Sequence, residues 1–132
     1  MNLEILTACD FASTLEGKLI IIGAFDQINT REFPATHPSL SIAIRLRFDP
    51  SEVGLHNFKV TLADEQSENL IEPIEGQINM NMPGNLLDAP SNFTITLGNL
   101  TFQKETRARL RFEVDNNLMG EIPLYIRLIK NR

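Results

Sequence analysis

The chain is predicted to be all-β, an antiparallel two-sheet sandwich of about eight strands with Ig-like connectivity. Three observations predict it. Apolar residues recur at every second position along several segments, which places them on one face of a strand. Clusters of turn-forming residues separate those segments. No segment carries a long helical period, and only Pro50–Gly54 hints at a helical turn, which Gly54 stops.

The strands follow in chain order. Leu3, Ile5, Cys9 and Phe11 share a parity, with Thr7 the polar exception. Leu19–Ile22 is a continuous apolar run, as expected of a strand covered on both sides. Leu40, Ile42, Ile44, Leu46 and Phe48 alternate with Ser41, Ala43, Arg45 and Arg47. Phe58, Val60 and Leu62 alternate with Lys59 and Thr61. Ile74, Ile78, Met80 and Met82 share a parity that Pro73 and Gly76 interrupt, the mark of an edge or bulged strand. Phe93, Ile95 and Leu97 come next, and the apolar phase then slips to Leu100 and Phe102. One extra residue at Gly98-Asn99 would make that slip a β-bulge. Ala108, Leu110, Phe112 and Val114, then Ile122, Leu124, Ile126 and Leu128, complete the set. Six phenylalanines (Phe11, Phe48, Phe58, Phe93, Phe102, Phe112) therefore have core parity.

Glu16-Gly17, Asp49-Pro50-Ser51, Ser67-Glu68-Asn69 and Asp115-Asn116-Asn117 read as short turns. Gln27–Pro38 and Pro83–Ser91 are longer than hairpin turns, and the first is expected to cross between sheets.

The totals bound what such a domain can do. At 132 residues, 42% hydrophobic and 22% charged, residues 1–132 fit one folded domain with its own core. A net charge of −5 argues against general nucleic-acid binding. The single cysteine excludes an internal disulfide and a cysteine-rich zinc site. The N-terminal residues lack the pattern of a signal peptide, and no stretch has the ~20 apolar residues needed to span a bilayer. A soluble, cytoplasmic protein without membrane contact is expected.

Several short motifs are shared with known sequences. Cys9-Asp10-Phe11-Ala12, Gly17-Lys18-Leu19 and Ile22-Gly23-Ala24-Phe25-Asp26 open the series. Phe33-Pro34, Leu40-Ser41-Ile42-Ala43, Glu52-Val53-Gly54-Leu55-His56 and Leu62-Ala63-Asp64-Glu65 continue it. Val114-Asp115-Asn116 and Ile122-Pro123-Leu124 close it. Together they resemble a family of small uncharacterised bacterial single-domain proteins, a domain of unknown function. The resemblance implies a single domain and a bacterial setting and names no activity. The chain departs from the family's pattern at Gln66-Ser67, where an Asp-Gly turn is usual, and at Arg107-Ala108-Arg109, where a Gly-x-Tyr is usual.

Catalytic constellations are absent from the sequence. Neither His37 nor His56 accompanies a nucleophile motif. Cys9 lies on an apolar parity and reads as a small core residue. Asp10, Asp26, Asp49, Asp64 and Asp88 lie near strand ends without a close Asp-x-Asp pair, so they read as turn residues. No glycine-rich phosphate loop feeds a helix. No cofactor or metal is expected.

The unusual polar feature is arginine. Arg45 and Arg47 project from one strand, and Arg107, Arg109 and Arg111 from another. If the two strands are neighbours they form a basic ribbon for an anionic partner; otherwise they form solvated faces paired with carboxylates. Phe33, Leu86 and Leu87 are the apolar residues of the long connections, able to anchor a partner or to cap the fold. The expected function is a non-enzymatic protein-interaction or assembly module, in which a homo-oligomer has a place. The alternative is a ligand-binding domain holding calcium or a small anion at the loop end, and a hydrolase without a recognisable motif ranks third.

Overall fold

The computed structural model describes residues 1–130 and has nine strands among them. They are β1 (Asn2–Leu15), β2 (Lys18–Phe25), β3 (Gln27–Thr30), β4 (Ala35–Phe48), β5 (Gly54–Ala63), β6 (Ile74–Met80), β7 (Ala89–Phe102), β8 (Thr106–Val114) and β9 (Asn117–Leu128). One four-stranded sheet has the order β2-β1-β4-β7, and a curled five-stranded sheet has the order β3-β9-β8-β5-β6. Pro50–Glu52 forms a single 3-10 turn capped by Asp49, at the place where the sequence hints at one.

The alternating segments become the core as their parity requires. Leu40, Ile42, Ile44, Leu46 and Phe48 from the first sheet meet Val60, Leu62, Ala108, Leu110, Phe112, Leu124 and Ile126 from the second in one buried cluster. Phe93 of the first sheet meets Phe58 and Phe112 of the second with centroids 5.3 and 5.6 Å apart, in the tilted geometry that aromatic pairs favour.

Three expectations need correction. First, Gln27–Pro38 is no open loop. It holds β3, which leaves β2 at Asp26 and pairs in parallel with β9, so the assembly is not wholly antiparallel and has one strand more than the alternation marks. Second, no extra residue makes the slip in β7. The β4–β7 register is unbroken from Ala35↔Phe102 to Phe48↔Ala89. Asn99 takes a left-handed φ of 52° opposite Pro38, and both strands change phase together. The core side chains are then Leu97 before the kink and Leu100 and Phe102 after it.

Third, Phe11 is not a core residue and Leu19–Ile22 is not a central strand. A kink of the same kind occurs where Asp10 meets Gly23, at φ +69°. Beyond it the β1–β2 hairpin stays in register, with Phe11↔Ile22 and Leu15↔Lys18, but folds back over the outer face of its own sheet. Its tip reaches as far as β7, where Asn92 Nδ2 donates to the Gly17 carbonyl at 3.0 Å. Gly23 is required here. Its φ is one that L-residues avoid, and a Cβ at this position would land on Asp10 Oδ2.

Candidate functional site

The folded-back hairpin has two unlike faces. Glu16 and Gly17 both have positive φ, 51° and 76°, the requirement of a tight two-residue turn between antiparallel strands. Its inward side chains, Ala12, Leu19 and Ile21, pack on Cys9 and Ala43. These last two lie on the outer face of the sheet, yet both are fully buried, because the hairpin adds a third layer over them. Its outward side chains have no such cover. Phe11 is 51% exposed, Leu15 60% and Ile22 55%, and half-buried Ile20 lies between them. Four apolar side chains on one small two-stranded face form a patch, whereas single exposed apolar residues elsewhere are ordinary.

The hairpin also settles the environment of Cys9. Its thiol points to the Ser41 carbonyl at 3.5 Å. Burial, with a smaller contribution from the Asp10 charge, pushes its pKa up. The thiolate that nucleophilic chemistry needs is therefore disfavoured.

The arginines form two separate groups. β4 and β8 belong to different sheets, so no continuous basic ribbon exists. On the first sheet, Glu4 receives Arg45 Nε and Arg47 Nε, each at 2.9 Å, and Asp88 receives Arg47 Nη1 at 2.7 Å. The hydrogen bonds from Arg47 and then Arg45 hold the Glu4 carboxyl below its ordinary pKa, and those from Glu4 and Asp88 raise Arg47. On the second sheet, Arg109 and Arg111 share Glu121 at 3.2 and 3.4 Å. Arg111 Nε is buried and lacks a well-formed hydrogen bond among the described residues. Arg107 has neither an ion pair nor a side-chain hydrogen bond among those residues. It borders a cleft of about 350 Å³ with Arg109, Arg111, Tyr125, Asp64 and Glu65.

The loop residues divide. Phe33, next to a cis Phe33–Pro34 peptide, is half-buried and packs against the core. Leu86 and Leu87 are 49% and 89% exposed in the link before β7.

His56 on β5 ties three elements together, a role its sequence context does not announce. Its Nδ1 lies 2.6 Å from Asp115 Oδ2 in the β8–β9 turn, and its Nε2 lies 2.5 Å from the carbonyl of Glu52. Both neighbours are acceptors, an arrangement that suits the doubly donating imidazolium form. The hydrogen bond to Asp115, then that to Glu52, raises the His56 pKa, and the same contact lowers that of Asp115. Glu52 in turn pairs with the amino group of Met1 at 3.0 Å.

Two of the turn aspartates are likewise committed locally. Asp49 caps the 3-10 turn, and Asp64 Oδ1 accepts from the backbone N–H groups of Gln66 and Glu68. Among the described residues, no group of three or more His, Cys, Asp or Glu is placed to hold a metal ion. No helix among the described residues is long and apolar enough to cross a membrane.

A family model matches residues 4–127, nearly the whole chain. The chain belongs to DUF6941, a family of unknown function. No curated protein and no solved structure matches this DUF6941 chain. Its two departures from the motif pattern have visible local roles. Gln66-Ser67 lies in the turn that Asp64 organises, and Arg107-Ala108-Arg109 brings two arginines to the cleft on the second sheet.

Proposed function

We propose that this chain is a non-enzymatic protein-interaction or assembly module. The observation that carries the proposal is the outward face of the folded-back hairpin, where Phe11, Leu15 and Ile22 are each about half exposed or more on strands that pack by their other face. Burying such side chains supplies ~25 cal/mol per Å² of apolar area, and an aromatic anchor among them is the usual centre of a binding surface. The groups that catalysis would draw on are occupied otherwise. Cys9 is covered, and His56 is held between Asp115 and the Glu52 carbonyl. Leu86 and Leu87 are a second apolar contact in the proposal, and Phe33 acts mainly as a cap.

The experiment compares the native chain with Phe11→Ser/Ile22→Ser. Binding is read by cross-linking of the purified protein and by capture from a bacterial cytoplasmic extract, and folding by thermal melting. The expected result is lost binding with a melting temperature within a few degrees of the native one. Unchanged binding in both assays would remove the hairpin from the proposal.

We also propose Ig-like connectivity. It is supported by the switch of β3 to the opposite sheet and its parallel pairing with the last strand, as the first strand of many Ig-like domains does.

One observation favours a second reading, a small-anion site. Arg111 Nε, although 3.4 Å from Glu121, lacks a well-formed hydrogen bond, and Arg107 on the same cleft has no carboxylate partner among the described residues. Inorganic phosphate should then shift the guanidinium resonances of Arg107 and Arg111 at millimolar concentration and leave those of Arg45 unmoved. Equal shifts at all three would reduce this to general screening.

A further inference from the structure

The proposed interaction role leaves the partner open, and β2 narrows it. Between the Glu16-Gly17 turn and the kink at Gly23, the straight part of β2 is Lys18–Ile22, and its centre is Ile20. β1 takes only one side of this strand, because β2 ends the sheet. On the other side its outward N–H and C=O groups meet no backbone partner among the described residues. An open edge of this kind is a template for another strand, and proteins usually guard it with charges, proline or a bulge. The edge strand β7 carries Pro90 and the Asn99 kink, and the edge strand β6 presents Glu75, Gln77 and Asn79. Within Lys18–Ile22 only the first residue is charged.

We propose that this edge pairs with the same edge of a second copy, antiparallel about Ile20; the inference rests on the interaction reading above. A two-fold axis through an antiparallel pair sets each residue opposite its mirror in the segment and keeps like faces together. Ile20 then faces Ile20, Leu19 faces Ile21, and Lys18 faces Ile22 of the second copy. The outward rows of Ile20 and Ile22, with Phe11 beside Ile22, become one apolar surface that the aliphatic stem of Lys18 extends.

The charges fit this direction and oppose the other. Lys18 stands at one end of the segment, and the Asp10 carboxylate stands over Gly23 at the other. Both are exposed, and no ion pair among the described residues involves either. Antiparallel pairing carries each lysine to the aspartate end of the other copy, twice per dimer. Parallel pairing would set lysine beside lysine. Five strand residues a side fall well short of the ~20–30 of a standard interface, so the dimer forms reversibly with concentration.

Sedimentation equilibrium of the whole chain, from ~10 μM to ~1 mM, covers the affinities such a contact gives. The native protein should rise from 14.9 kDa toward twice that mass, with amide exchange at Lys18–Ile22 slowing as dimer forms. Ile20→Lys puts two like charges on the axis and should leave a monomer at every concentration. Lys18→Glu should weaken the dimer about 5-fold, and adding Asp10→Lys should restore it. Thermal melts confirm that each variant is folded. A native monomer throughout overturns the pairing, as does a dimer without edge protection or one indifferent to Ile20→Lys. If the native chain stays monomeric while Phe11→Ser/Ile22→Ser still abolishes capture from extract, self-pairing fails and the interaction role stands. If capture is also unchanged, both fail.

Discussion

Replacing His56 with alanine should cost stability in a pH-dependent way. The ring is 16% exposed and donates to Asp115 at 2.6 Å and to the Glu52 carbonyl at 2.5 Å. A buried charge-assisted hydrogen bond contributes ~1.5–3 kcal/mol. Asp115 is 45% exposed, so solvent screening reduces its bond to ~1 kcal/mol or less. Together the two bonds contribute about 2 kcal/mol. With ~2.1 cal/mol/K of unfolding entropy per residue, a chain of 132 residues loses about 7 °C of melting temperature for that amount.

The sign follows from the shifts. The His56 pKa is raised, so its contribution is complete below the ordinary value of 6.5 and is lost as pH rises through the folded value. The Asp115 pKa is lowered, so its contribution is present above 3.8 and is lost as pH falls through the folded value. The clasp is therefore strongest between those two ordinary values. Other charges nearby belong to Glu52, Asp49 and the Met1 amino group, which the native and variant proteins share. Melting by circular dichroism should show a gap of about 7 °C at pH 5.5, shrinking to about half at pH 9, where a neutral ring has one N–H to donate. A gap of equal size at both pH values would refute the imidazolium assignment.

Other substitutions probe the hairpin and the loops. Gly23→Ala meets both a left-handed φ and the Asp10 carboxylate, and should lower stability by about 2 kcal/mol. It should also speed the reaction of Cys9 with a thiol reagent many-fold, and labelling as slow as in the native protein would disprove the covering role of the hairpin. In the native protein, that labelling should be far slower than in urea; comparable rates would contradict the burial of Cys9. Phe33→Ala should cost about 1–2 kcal/mol, roughly half the price of a fully buried ring, whereas Leu87→Ala should stay within ~0.5 kcal/mol. Equal melting temperatures for these two variants would show that Phe33 does not cap the core.

Strand parity was legible along the straight middle of strands with one buried face, though at the end of β9 it overreached to exposed Leu128. Leu40 to Phe48 and Ala108 to Val114 read correctly because a period of two leaves one solution for a core strand. The same rule missed the irregularity between Leu3 and Ile5, which puts Leu6 and Ala8 on the core face of β1, and it misread the cause of the phase changes at Phe11 and Leu100. At both places a left-handed residue on one strand, Gly23 or Asn99, turns the pair without changing its register, and parity holds only along straight backbone. The run Leu19–Ile22 correctly implied apolar surroundings on one side; its other side is the open face, which alternation cannot distinguish from a second layer of protein. β3 went unmarked because four residues with one buried side chain, Ile28, hold too little pattern to count. The arginines were visible as residues, but which sheet each strand joins depends on contacts distant in sequence, and so did the separation of the two groups.

The parallel pairing of β3 with β9 also bears on how the chain reaches this state. Among the described residues, Gln27–Thr30 finds its strand partner in Tyr125–Leu128, close to the last of them. The second sheet cannot close until β9 has been made, because β3, synthesised well before it, waits for that strand. Closing so long a loop costs entropy before any contact repays it, so this step should come late and slowly. Until then Ile28 has no strand to shelter it. The nascent chain carries that exposed edge until β9 is made, and a chaperone that binds short extended apolar segments would find it there.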